Sequence, residues 1–166
     1  MRVLPRNGRN NPRRKAMKSV LRNFKESDRD YITRSLLFSF MNGSKEVQRI
    51  NRDSYMNAHN QTVNNLLNNC ECLVICDQED DDLIYAFAIY ENAKAFDILH
   101  YVYVRKDFRH NRFAAELLCK INSQSKNRNL ALSHLTDEFR PARLKRLWDK
   151  VVYDPYARIF SSKEPK

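Results

Sequence analysis

The chain has 166 residues, 42% of them apolar, and a net charge of +10. This is enough for one domain with a real core, and no apolar run approaches the roughly 18–20 residues a membrane-crossing helix needs. With no hydrophobic leader core after the first residue, the expectation is a cytoplasmic protein with no membrane partner.

The positive charge is concentrated at one end. Arg2, Arg6, Arg9, Arg13, Arg14, Lys15, Lys18, Arg22 and Lys25 form a run of cations with no acid among residues 1–25. The 30 basic and 20 acidic residues of the whole chain nearly cancel once these are set aside. Residues 1–25 therefore read as a basic arm, flexible or ordered by a partner. A nearly neutral domain follows over residues 26–160, then a polar tail over 161–166. Such an arm suits nucleic acid or an acidic protein surface, held by salt-sensitive charge neutralisation. A solvated tail is the bland alternative.

Chain order then gives the elements. A first strand is indistinct, with Leu21–Lys25 or the residues before it as the place for one. Ser27 or Asp28 can cap a helix whose Ile32, Leu36, Leu37 and Phe40 share one face, and Asn42-Gly43 ends it. Helical signals resume after Ser44 and again from Val63 to Leu67, as one helix or two. Cys72–Asp77 is an apolar strand, Gln78–Asp82 an acidic turn, and Leu83–Glu91 a strand placing Leu83, Tyr85, Phe87 and Ile89 opposite Ala86 and Ala88. After a turn at 92–95, Phe96–Val104 forms a third strand. Strict alternation puts Tyr101 and Tyr103 on one face, and His100, Val102 and Val104 on the other. A helix over about 112–127 carries Leu117, Leu118 and Ile121. A short strand 129–135, a helix 142–151 with Leu144, Leu147, Trp148 and Val151, and a closing strand at Tyr156–Phe160 complete the order. The class is α+β, a mixed and mostly antiparallel sheet flanked by helices.

The most informative segment runs from Leu99 to Leu118. An alternating apolar strand ends at Val102-Tyr103-Val104, passes through the charged turn Arg105-Lys106-Asp107-Phe108-Arg109-His110-Asn111-Arg112, and enters a helix at Phe113-Ala114. A strand that delivers the chain to a helix N-terminus directs main-chain N–H groups at one spot, the geometry that holds phosphate. Arg105, Lys106, Arg109, His110 and Arg112 add positive charge there, as a phosphate cradle or as a solvated turn.

This strand, loop and helix resemble motif A of the GCN5-related N-acetyltransferases (GNAT), and the resemblance extends over roughly residues 26–160. In that family the strand end is followed by a loop of pattern Arg/Gln-x-x-Gly-x-Gly/Ala, matched here by Arg109-His110-Asn111-Arg112-Phe113-Ala114, with Arg112 in place of the loop glycine. The resemblance implies a GNAT-like fold and an acyl-CoA cofactor, acetyl-CoA above all. Val102, Val104, Arg109, His110, Asn111, Arg112, Phe113 and Ala114 would bind it. It implies N-acyl transfer to an amine. The family's downstream tyrosine, a common general acid, aligns with Trp148, whose indole cannot transfer a proton, so Tyr153 or the nearby Tyr156 is the substitute. Glu91, at the end of the strand beside the motif strand, His100 and Asp97 are the candidate bases, the first two also readable as ordinary structural polar residues. The alternative is a GNAT-fold protein without catalysis, a binding or structural piece of the phage-encoded or virion-associated kind that docks through its basic arm.

Of Cys70, Cys72, Cys76 and Cys119, the first three are clustered, but tetrahedral zinc sites favour paired Cys-x₂₋₄-Cys spacings and a second pair is missing. Buried reduced thiols are expected, with metal or redox use as the lesser reading, and no metal is assigned.

Overall fold

A computed structural model describes residues 18–45, 47–93, 95–135 and 141–157. Strand β1 (Ser19–Asn23) leads into helix α1 (Arg29–Gly43) and helix α2 (Arg52–Asn69). Strands β2 (Glu71–Asp77), β3 (Ile84–Asn92) and β4 (Asp97–Val104) follow, then helix α3 (Phe113–Gln124), β5 (Asn129–Leu132), a 3₁₀ segment (Pro141–Arg146) and β6 (Lys150–Tyr153). The six strands form one sheet in sequence order, antiparallel from β1 to β4 and parallel from β4 through β5 to β6. The expected class is observed.

Local chemistry accounts for these elements. Asn51 caps α2, its side-chain oxygen accepting from the N–H of Asp53 at 3.0 Å and of Ser54 at 3.1 Å. The single helix that follows buries Tyr55, His59, Val63, Leu66 and Leu67, one face at helical spacing. This face and that of α1 (Ile32, Leu36) pack on one side of the sheet against Cys72, Val74, Cys76, Phe87, Ile89 and Tyr101. On the other side α3 contributes Phe113, Leu117, Leu118 and Ile121 to a core with Leu73, Ala88, Tyr90, Leu99, Leu130 and Trp148. Each fully buried aliphatic chain contributes about 1.5–3 kcal/mol.

Several expectations are corrected. β1 at Ser19–Asn23 lies inside the segment read as the arm and pairs along its whole length with β2. Arg22 turns inward to hold Asp28 by two bonds of 2.7 and 2.9 Å. Residues 19–23 of that segment thus belong to the sheet, and residues 1–17 lie outside the described residues. The helix expected over 142–151 is instead a 3₁₀ segment followed by β6, because Asp149 and Lys150 bond back to the Arg128 carbonyl beside β5. Of the closing strand at 156–160, Tyr156 and Ala157 are not in a strand, and the rest, like the tail 161–166, lies outside the described residues.

Two β-bulges overturn the face assignments. Against β2, the register jumps from Ala86 to Ile84 and leaves Tyr85 over. Against β3, it jumps from Tyr101 to Leu99 and leaves His100 over. A bulge adds one residue and reverses the alternation beyond it. Tyr85 therefore joins Ala86 and Ala88 on the α3 face rather than Phe87 and Ile89. His100 leaves the Val102 face and meets the polar groups on the Tyr101 side.

Candidate functional site

The second bulge marks the point where the sheet opens. β4 and β5 pair only at Asp97–Leu99 with Leu130–Leu132. The last link is the Ser133 N–H donating to the Leu99 carbonyl at 3.2 Å. From Tyr101 to Val104, β3 is the only strand among the described residues that pairs with β4. Because the Arg105 N–H donates to the Tyr85 carbonyl at 2.9 Å, the alternation of an antiparallel ladder turns residues 101 and 103 toward β3 and residues 102 and 104 away from it. The main-chain N–H and C=O of Val102 and Val104 therefore face the gap. Arg109 Nε reaches the Val104 carbonyl at 3.4 Å.

At the end of this gap lies the charged loop. His110 and Arg112 both have positive φ, 71° and 65°. The position that holds glycine in the family pattern thus keeps a left-handed backbone here, occupied by arginine. An L-residue in that region costs about 1–2 kcal/mol, and the surroundings must offset it. Bulged Tyr85 supplies part of the support: its ring lies 4.3 Å from Phe108 and stacks on Phe113 at 5.5 Å, while its hydroxyl donates to Asp77. Asn111 Nδ2 ties the loop to the Phe108 carbonyl at 2.9 Å. Helix α3 starts directly after Arg112 with no side-chain cap, so its first-turn N–H groups, from Phe113 and Ala114 onward, lack helical acceptors. Arg109, His110 and Arg112 are exposed around them, Asn111 and Ala114 are half-buried, and Phe113 is buried. Such a site attracts a multiply charged anion.

Deeper in the opening lies a polar network. His100, 2% exposed, shares a hydrogen bond of 2.7 Å between Nδ1 and Ser133 Oγ, and its Nε2 lies 3.7 Å from Glu91 Oε2. Cys70 Sγ is 3.6 Å from the same carboxylate oxygen. Ser133 Oγ also bonds His134 Nδ1 at 2.8 Å. His134 stacks on Tyr101 at 4.3 Å, and the Tyr101 hydroxyl meets His59 Nε2 at 3.0 Å. His59 is sandwiched by Phe40 and Tyr55, each at 5.1 Å. Burial pushes the pKa of His59 down to about 4 and that of His134 down to about 3, the latter also through neighbouring imidazoles, so both are neutral near pH 7. Desolvation likewise raises the phenols, Tyr55 to about 12 and Tyr101 well above its ordinary value.

The structure therefore brings Glu91 and His100 together, and gathers Val102, Val104 and the loop 109–114 along the same opening. It does not bring Tyr153 to them: that residue pairs in β6 with Leu132 and is 57% exposed, and Tyr156 is exposed too. Trp148 lies at the closed end of the sheet, where its Nε1 donates to Asp97 Oδ2 at 2.8 Å. Sequence reasoning missed His59 and Ser133. His59 lay on the apolar face of α2, where a buried imidazole implies a partner, whereas Ser133 carried no signal.

A groove of about 670 Å³ adjoins the mouth of the opening, lined by Tyr31, Arg34, Ser35 and Phe38 of α1 together with Tyr103 and Arg109. None of the helices among the described residues is long and apolar enough to cross a membrane.

No protein-family model and no curated protein sequence matches the chain. Solved structures do. A suspected acetyl transferase from Pyrococcus furiosus superposes with a TM-score of 0.56 at 12% identity, covering 90% of this chain and 93% of that one. A suspected acetyltransferase from Clostridium difficile 630 gives 0.54 at 15% identity, over 78% and 87% of the two chains. A suspected GNAT-family acetyltransferase from Staphylococcus aureus gives 0.49 at 12% identity over 63% and 88%. With strand order, parted β4 and β5, and the first two superpositions in agreement, this chain has the GNAT-like α+β fold.

Proposed function

We propose that this protein is an acyl-CoA-dependent N-acyltransferase, most simply one that moves an acetyl group to an amine. The observation that carries this reading is the freed edge of β4. A pantetheine arm is a chain of amides and needs an extended backbone partner, which Val102 and Val104 present to the gap. Its diphosphate then reaches the left-handed loop and the uncapped start of α3, where Arg109, His110 and Arg112 stand. The thioester end lies toward His100, where the strands close.

Acyl transfer from a thioester needs an amine without its extra proton and a held carbonyl. In this reading the His100 and Glu91 pair receives the proton from the incoming ammonium, directly or through water. The neutral amine would then take the acyl group, a C–N bond replacing the C–S bond of the thioester, and the released thiolate would take up the proton shed by the new amide nitrogen. His100 is the bulged residue of β4, and Ser133 fixes its imidazole through Nδ1. The acceptor enters from the groove between α1 and Tyr103. The reading without catalysis gains no observation of its own, since the opening and its polar lining are both present.

The test is release of free thiol from acetyl-CoA with a panel of primary amines, including polyamines, amino acids and lysine peptides. Amine-dependent thiol release with matching acetylated product supports the proposal. Thiol release absent across the panel, together with no binding of acetyl-CoA, removes it.

A further inference from the structure

Three donors from separate elements meet beside the opening. Cys70 follows the end of α2, Glu91 lies near the end of β3, and His100 is the bulged residue of β4. Their thiol sulfur, carboxylate oxygen and ring nitrogen all lie within 4.8 Å of one another, with Sγ to Oε2 at 3.6 Å and Nε2 to Oε2 at 3.7 Å. A tetrahedral zinc ion with bonds of about 2.0–2.3 Å has its ligand atoms roughly 3.3–3.8 Å apart. The set is therefore close to ligating distance before any ion is added. The geometry points to a binding site for a thiophilic divalent cation of the zinc class, held by Cys70, Glu91 and His100.

The supporting shell fits the same assignment. A metal-bound imidazole is oriented by a hydrogen bond at its other nitrogen. Here Ser133 Oγ holds His100 Nδ1 at 2.7 Å and leaves Nε2 directed at the carboxylate. A mixed sulfur, nitrogen and oxygen set disfavours magnesium and calcium, which take oxygen ligands. Cys70 is half-buried and Glu91 is 27% exposed, and a tetrahedral ion held by these three side chains would take one further ligand. Binding would release the Cys70 thiol proton to solvent. The two other cysteines of the sequence cluster are elsewhere, Cys72 and Cys76 both buried in the core beneath α1 and α2. The ligand set was thus hidden from spacing rules, because its members come together only through the sheet. Occupation would place the cation on the His100 nitrogen that the acyl-transfer reading assigns to the proton, making the ion an inhibitor. That consequence rests on that reading, but the binding does not.

The test uses the full chain, stripped of metal and without acyl-CoA. Zn²⁺ alone should bind one ion per chain and protect Cys70 from alkylation, read by peptide mass spectrometry on the unmodified protein. Co²⁺ should give a thiolate charge-transfer band, lost in Cys70→Ser and retained in Cys119→Ser. Ser133→Ala should weaken Zn²⁺ binding about 10–100-fold. Equal alkylation of Cys70 with and without Zn²⁺, or a Co²⁺ band that survives Cys70→Ser, overturns the assignment. Either result leaves acetyl-CoA binding to be judged separately.

Discussion

Asp97 joins the two halves of the sheet at the closed end of the β4–β5 pairing, and its removal should be among the most damaging single changes in the chain. The side chain is fully buried. Oδ1 accepts from Ser125 Oγ at 2.6 Å and Asn127 Nδ2 at 2.9 Å, and Oδ2 accepts from Trp148 Nε1 at 2.8 Å. These bonds tie the start of β4 to the loop before β5 and to the ring ahead of β6. In Asp97→Ala, the Trp148 N–H, on a residue 1% exposed, becomes an orphan donor in the core, at about 1–3 kcal/mol. Ser125 and Asn127 are half-buried and recover some hydrogen bonding to water, so together they add roughly 1–2 kcal/mol. The expected loss is about 2–5 kcal/mol, a large part of the 5–15 kcal/mol typical of a domain. Urea unfolding followed by circular dichroism should show a lower midpoint with an unchanged slope. Trp148→Phe removes the donor and one ring of the indole, so its cost combines the lost hydrogen bond with a cavity at a site 1% exposed. The two changes together should fall short of their sum by about 1–2 kcal/mol. A loss below about 1 kcal/mol for Asp97→Ala, or strict additivity, would refute the claim that this carboxylate anchors the junction.

Arg112→Gly, at φ 65°, should relieve the left-handed strain and raise stability by up to about 1 kcal/mol after the entropy of glycine is deducted; a lower melting temperature would contradict it. His100→Gln should lower the rate of acyl transfer about 10²–10⁴-fold with cofactor affinity intact, as judged by steady-state kinetics beside calorimetry. His59 and His134 are kept neutral by burial, with folded pKa values lowered to about 4 and about 3 from 6.5. The unfolded chain therefore binds more protons below about pH 6.5. The melting temperature should hold above that pH and fall as the pH drops toward 4 and then 3; His59→Gln should soften this acid limb, and a profile identical to that of the unchanged protein would count against it. Tyr85→Ala should loosen the loop through loss of the Phe108 and Phe113 contacts, seen as faster amide exchange at Asn111 to Ala114.

Much of the fold was legible because its elements obey simple periods. Ile32, Leu36 and Leu37 announced α1, and the apolar run of β2 and the alternation of β4, with Asn- and Asp-rich turns, announced a mostly antiparallel sheet. The strand, loop and helix from Leu99 to Leu118 were legible for the same reason, and they supplied the candidate cradle. The bulges were not. A single extra residue at Tyr85 or His100 leaves no mark on composition, yet it inverts the face of everything on one side of it. Hence Tyr85 was assigned to the wrong layer, and His100 was placed with Val102 when its partners are Glu91 and Ser133. The segment after β5 failed for a different reason. Leu144, Leu147, Trp148 and Val151 have helical spacing, but tertiary pairing with β5 claims Lys150–Tyr153 for a strand. β1 was obscured by the surrounding cations, because Arg22 reads as part of a charged arm until its partner Asp28 is seen.

The central claim is that the unpaired edge of β4 and the start of α3 together hold an acyl-CoA. Amide hydrogen exchange resolved to single residues, with and without saturating coenzyme A, tests it most directly. Slower exchange at Val102, Val104 and the amides from Asn111 to Ala114, with little change along β1 and β2, is the predicted result. Unaltered exchange at Val102 and Val104, or protection confined to another face of the protein, would contradict it.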